Sequence, residues 1–180
     1  MLTVLLLCDV TDITSATPTF LHPEGNKVIA QSGSFALDFT LPEPALADSV
    51  KLTLTRMSGT ADSGSPHIIT FASAFESQGQ HTMTVPALSS AASNSNIDTV
   101  TSNGGTASAL VHGATYSVAL EYQDDHSNSA ASVTHTGVEV GEGCMDECCF
   151  VLTGLLLCAR YCYWDTHIPI PGGQQGDSFK

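Results

Sequence analysis

The chain has 180 residues, enough for one ordinary domain with tails or for two very small domains. It is 42% hydrophobic and only 13% charged, with a net charge of −13. Such a surface repels phosphate backbones and anionic lipid headgroups, which argues against nucleic-acid binding and against electrostatic attachment to a membrane.

Residues 1–17 form an apolar start and a polar linker. The apolar run, Leu2 to Cys8, has no Lys or Arg before it and no A-x-A-like site after it, so a buried strand, or the last strand of a preceding repeat, is preferred to a signal peptide. The "LLLC" ending is similar to a lipoprotein cleavage box, but Leu7 stands where a small residue is needed. The linker "DVTDITSAT" leads to Pro18.

Residues 18–140 read as strands. "KVIA" (Lys27 to Ala30) is a weak first one. "SFALDFTL" then sets Phe35, Leu37, Phe39 and Leu41 on one face and Ser34, Ala36, Asp38 and Thr40 on the other, the period of two expected of a half-buried strand. "SVKLTLTR" repeats it with Val50, Leu52 and Leu54 inward. "HIITFAS" offers Ile69 and Phe71, and "QHTMTVP" offers Met83 and Val85 before Pro86 ends the strand. "ATYSVALEYQ" turns Tyr116, Val118, Leu120 and Tyr122 inward. "SAASVTHTGVEV" changes parity between Val133 and Val138, which predicts a bulge near Gly137. Turn-rich segments such as "PEGN", "SGTADSGSP" and "DDHSN" separate these runs, and no helical period crosses them. Seven short strands so spaced predict an all-β antiparallel sandwich. Residues 89–109, rich in Ser, Ala and Asn, predict a mobile loop or excursion pinned in its middle by Ile97 and Val100.

Residues 141–180 are Cys-rich and apolar, then end in a Pro/Gly-rich tail expected to be disordered. Five of the six cysteines, Cys144, Cys148, Cys149, Cys158 and Cys162, lie here, and the sixth is Cys8. The sandwich region therefore holds together without disulfides, and no redox compartment can be read from it. The apolar stretch Cys148 to Ala159 is short of the roughly 20 residues a spanning helix needs. It is consistent with a short apolar helix packed on the sandwich, with a membrane contact, with a non-native end, or with a disulfide or zinc unit built on the two C-x₃-C pairs.

A resemblance rests on Leu110, Gly113 and Tyr116. "LVHGATYSVALEY" resembles the L-x-P-G-x-x-Y approach to strand F in fibronectin type III and related immunoglobulin-like sandwiches, with His112 at the proline position. "FALDFTLPEP" is similar to strand B of that family, with Phe39 in place of the buried tryptophan and Pro42 following. "YSVALEYQDDHSNSAASV" resembles bacterial immunoglobulin-like adhesin repeats, with Asp124, Asn128 and Ser129 fitting and Ser127 replacing a glycine. The resemblance implies a seven-stranded immunoglobulin-like sandwich whose tyrosine hydroxyl, that of Tyr116, bonds back to backbone upstream. It also implies a structural or adhesive module, neighboured by similar repeats in a longer extracellular protein.

Candidate chemistry is sparse. "TADSGSPH" (Thr60 to His67) is superficially similar to the segment around a trypsin-like serine, but no supporting base or orienting carboxylate is found by motif, and the stretch reads as a hairpin loop. No other catalytic or cofactor fingerprint is present. Asp124 and Asp125 are expected to point outward, and with Asn128 could offer oxygens to calcium, although acidic residues are common at strand ends for backbone reasons. His135 shares parity with Val133 and reads as a strand residue rather than a ligand. The expectation is therefore a non-enzymatic spacer or adhesion module of an extracellular or cell-surface protein. It would have no catalytic or cofactor site, a protein or glycan partner, no nucleic acid and uncertain membrane attachment. The alternative is a membrane-attached surface protein anchored by its C-terminal segment.

Overall fold

The computed structural model describes residues 13–30 and 33–141, together with the backbone of two later strands, Cys149–Leu152 and Leu155–Cys158. Cys8, Cys144, Cys148, Cys162 and the Pro/Gly-rich end lie outside the described residues. The chain divides into two compact units, Met1–Gly143 and Cys144–Lys180.

Alternation of apolar and polar residues yields the expected strands in the first unit: β2 (Val28–Ala30), β3 (Phe35–Leu41), β4 (Lys51–Gly59), β5 (His67–Phe71), β6 (Gly79–Val85), β8 (Ala114–Tyr122) and β9 (Ala131–Gly141). Two more join them, β1 (Thr19–His22) and β7 (Ile97–Thr101), making nine among the described residues where seven were expected. β1 escapes detection because only Phe20 of its four residues is buried. β7 is hidden by a register shift against Thr70 and Phe71, which puts its buried residues, Ile97 and Val100, three apart instead of two.

The strands form two sheets. One has the order β1-β3-β6, and the other β2-β9-β8-β4-β5-β7. All pairings are antiparallel except β2 with β9, which is parallel and so corrects the wholly antiparallel expectation. The inner faces meet in one core. Phe35, Leu37, Phe39 and Leu41 come from the smaller sheet, and Leu52, Leu54, Ile69, Phe71, Val118 and Leu120 from the larger, each 5% exposed or less. β8 shows the clearest alternation, with Tyr116, Val118, Leu120 and Tyr122 fully buried. The bulge in β9 falls where the parity break places it: the register against β8 shifts between Val138 and His135, and Gly137 takes a φ of 77°.

Residues 89–109 are not a bare loop. They contain the end of a short helix, α1 (Leu88–Ala91), and then β7, and Leu88, Ala91, Ile97 and Val100 bury against the core. The anchoring residues Ile97 and Val100 are those the sequence singles out. The second unit contains β10 (Cys149–Leu152) and β11 (Leu155–Cys158), paired antiparallel with Cys149 opposite Cys158. Strands replace the short helix considered for this stretch. Phe150 and Val151 favour extended backbone. No helix among the described residues is long and apolar enough to cross a membrane.

Candidate functional site

The most organised polar cluster grows out of the parity of β5. His67, Ile69 and Phe71 point the same way along the strand, so the histidine enters the core with its apolar neighbours and is 0% exposed. A buried imidazole must satisfy both ring nitrogens. Nε2 lies 2.7 Å from Asp62 Oδ2 and Nδ1 lies 2.8 Å from Ser102 Oγ. Asp62 belongs to the β4–β5 connection and receives the Gly64 N–H at 2.8 Å in a local turn. Ser102 follows β7, is 7% exposed, and receives the Ser108 N–H at 3.0 Å. With the ring neutral, the Ser102 hydroxyl donates to Nδ1 and the Nε2–H donates to Asp62.

Tyr116 completes the network from β8. Its hydroxyl donates to Asp62 Oδ2 at 2.6 Å and accepts the Val111 N–H at 3.0 Å. The bond to Val111 is a link to upstream backbone of the kind the resemblance of "LVHGATY" implies. The approach to it depends on two close-packed glycines. Gly113 has a φ of 74°, and its N–H donates to Val140 O at 2.7 Å. A Cβ on Gly59, itself at φ 75°, would stand 2.1 Å from Gly113 O. Replacing Tyr116 with phenylalanine strands the Val111 N–H and takes one donor from a buried carboxylate. We expect a loss of about 1–3 kcal/mol in urea denaturation, with the m-value unchanged.

The electrostatics follow from these contacts. Burial pushes the Asp62 carboxyl up, but the hydrogen bonds from Tyr116, His67 and Gly64 outweigh it and leave it below its ordinary value of 3.8. Burial first, and then the bond to Asp62, push the Tyr116 hydroxyl well above its usual range. Because the folded-state value of Asp62 is depressed, its contribution to stability is fully present above about pH 4 and is lost as pH falls through the folded value. The melting temperature should therefore fall as the pH drops below about 4, and the drop should be shallower in Asp62→Asn.

Asp, His and Ser in this order are the components of an acyl-transfer triad. Here the serine is sunk in the core, its oxygen is committed to the Ser108 N–H and to His67, and an orienting tyrosine shares the carboxylate. The groove lined by Pro23, Lys27, Ile29 and Phe35 contains none of the network residues. The arrangement ties residues of the segments 60–66 and 102–112 to β5 and β8.

The stretch "TADSGSPH" thus supplies both a carboxylate and a histidine, which motif reading did not find. Its serines are not their partner: Ser65 Oγ accepts the Arg56 N–H at 2.7 Å, and the serine that meets His67 comes from beyond β7. The signal available in sequence was the shared parity of His67 with Ile69 and Phe71. The acidic turn also differs from expectation. Asp124 is 0% exposed rather than outward-facing, and its two oxygens take the Asn128 N–H at 2.9 Å and Asn128 Nδ2–H at 2.6 Å. Burial raises the Asp124 carboxyl, and the bonds from Asn128, Ser15 and the His126 N–H together more than reverse this. Asp125 Oδ1 lies 2.9 Å from His126 Nδ1. These residues close a turn, and among the described residues no group of three or more His, Cys, Asp or Glu side chains is placed to hold a metal. His135 is a strand residue, stacked on Phe20 at 4.6 Å and bonded through Nδ1 to Pro23 O at 2.8 Å.

Compared with family models, curated proteins and solved structures, the chain has no match.

Proposed function

We propose that this chain is a non-catalytic sandwich module of the fibronectin type III or immunoglobulin-like type, a spacer or adhesion unit of an extracellular or cell-surface repeat protein. In this reading β1 and β2 are the two halves of a first strand that leaves one sheet for the other, pairing first with β3 and then parallel to β9. β3 and β6 take the places of strands B and E, and β4, β5, β8 and β9 those of C, C′, F and G, with β7 added at the C′ edge. The Tyr116 bond to Val111 supports the same assignment.

The observation that carries the spacer role is where the chain enters and leaves. Ala16 is held at the C-terminal end of β8, where the Tyr122 hydroxyl lies 2.7 Å from Ala16 O and 2.9 Å from Glu43 Oε1. Gly141 ends β9 beside the N-terminal end of β8, in the register that pairs Glu139 with Thr115. The two ends are thus separated by the length of a nine-residue strand, roughly 30 Å. Force or distance applied along a string of such modules passes through the sheets and not around them. A partner meets loops and the outer edge of β6, which among the described residues pairs only with β3 and carries no Lys or Pro to block an added strand.

Stretching the full chain between handles at residues 16 and 141 tests this. One cooperative rupture is expected, releasing about 3.6 Å of contour per residue between the handles. Gradual peeling that begins with β1 and β2 at low force would sink the spacer reading.

A further inference from the structure

The turn after β7 carries the one asparagine of the chain that precedes a glycine, Asn103 before Gly104; the other asparagines, Asn26, Asn94, Asn96 and Asn128, precede Lys, Ser, Ile and Ser. Asn103 is exposed, and its carboxamide makes a single long contact, Nδ2 to Ser63 O at 3.4 Å. Gly104 sits at φ 97° with nothing within 4 Å of the place a Cβ would take. The amides on either side of Gly104 are engaged, Asn103 N–H with Gly64 O at 2.8 Å and Gly105 N–H with Ser102 O at 2.8 Å. Among the described residues the Gly104 N–H has no hydrogen-bond partner. Asn128, by contrast, is held through both its backbone N–H and its carboxamide by Asp124.

We propose that Asn103–Gly104 is a site of spontaneous deamidation in the folded protein. The Gly104 nitrogen, its proton passed to hydroxide, attacks Asn103 Cγ. The new N–Cγ bond closes a five-membered imide, and the Cγ–Nδ2 bond breaks with ammonia leaving. Water then opens the ring at either carbonyl to give aspartate or isoaspartate, so that the net change is one water consumed and one ammonia released. The unhindered, unbonded glycine amide is what permits the attack. The product places a new carboxylate, and in the isoaspartyl form an extra backbone methylene, next to Ser102. The Ser102 hydroxyl is bonded to His67 and Ser108, so the change acts on one closure of the buried network.

The test is ageing of the purified full chain at mildly alkaline pH, followed by peptide mass mapping and an isoaspartyl methyl-transfer assay. Because glycine leaves its amide unhindered, conversion at Asn103 is expected to be at least about tenfold faster than at Asn26, Asn94, Asn96 or Asn128. The Asn103→Gln chain should lose the isoaspartyl signal. Conversion of Asn103 in the urea-unfolded chain but no faster than the other asparagines in the folded one would overturn the proposal.

Discussion

His67→Ala is expected to lower the stability of the sandwich by about 3–5 kcal/mol, because it takes a donor from a buried carboxylate, strands the Ser102 hydroxyl and empties a ring-sized space in the core. The residue is 0% exposed and the Asp62 side chain 3%. Without the imidazole, Asp62 keeps the Tyr116 hydroxyl and Gly64 N–H but loses the Nε2–H, and the Ser102 hydroxyl loses its acceptor. An empty space the size of the ring adds to the cost. Urea denaturation measures the loss. The cycle of His67→Ala, Asp62→Ala and the double variant isolates the pair, whose coupling should fall in the range of about 0.5–3 kcal/mol. A cost below 1 kcal/mol, with full additivity, would mean that the network does not bind the loops. The same lock predicts that a serine-directed fluorophosphonate leaves Ser102 unlabelled in the folded chain; stoichiometric labelling there would instead make the cluster catalytic.

Phe39→Ala is expected to cost about 3–5 kcal/mol as well, through an emptied core. Phe39 is 0% exposed on the middle strand of the smaller sheet, opposite Phe20 of β1 and His81 of β6. Its ring centroid lies 6.1 Å from that of Phe71, 6.0 Å from Phe75 and 5.1 Å from His81. Phe71 belongs to the opposite sheet, so this ring is where the two sheets grip each other. The neighbours come from β5, from β6 and from the 3-10 turn between them, and cannot all move inward to fill the gap, which places the cost at the high end of large-to-small substitutions. Phe39→Leu refills part of the space and should cost clearly less in the same denaturation series. Equal losses for the two variants would show that the ring's position is set elsewhere.

Both predictions draw on residues whose legibility in the sequence differs. Phe39 was visible as a core residue because its strand alternates cleanly, with Leu37 and Leu41 on the same face. His67 was not, because a lone polar residue at the start of an apolar run carries no mark of its partners. Asp62 is five residues away in the chain, but Ser102 is 35 and Tyr116 lies beyond it. The Asp124 turn failed in the opposite sense. It reads as a backbone turn, which it is, but with an outward carboxylate, whereas folding turns that carboxylate inward onto Asn128, four residues on.

Local chemistry determined the all-β character, seven of the nine strands among the described residues of the first unit, the inward faces of β3, β4 and β8, and the bulge at Gly137. Each of these depends on side-chain parity or on a few adjacent residues, and alternation is a property of the chain itself. Tertiary structure alone decided the rest. It recruited β1 and β7, whose apolar signal is too short or is broken by a register shift. It made β2 run parallel to β9, a pairing between opposite ends of the sandwich sequence. It also brought Asp62, His67, Ser102 and Tyr116 together. Pairing partners and buried polar networks are contacts between segments far apart in the chain, and their hydrogen bonds exist only after the two sheets have closed over them.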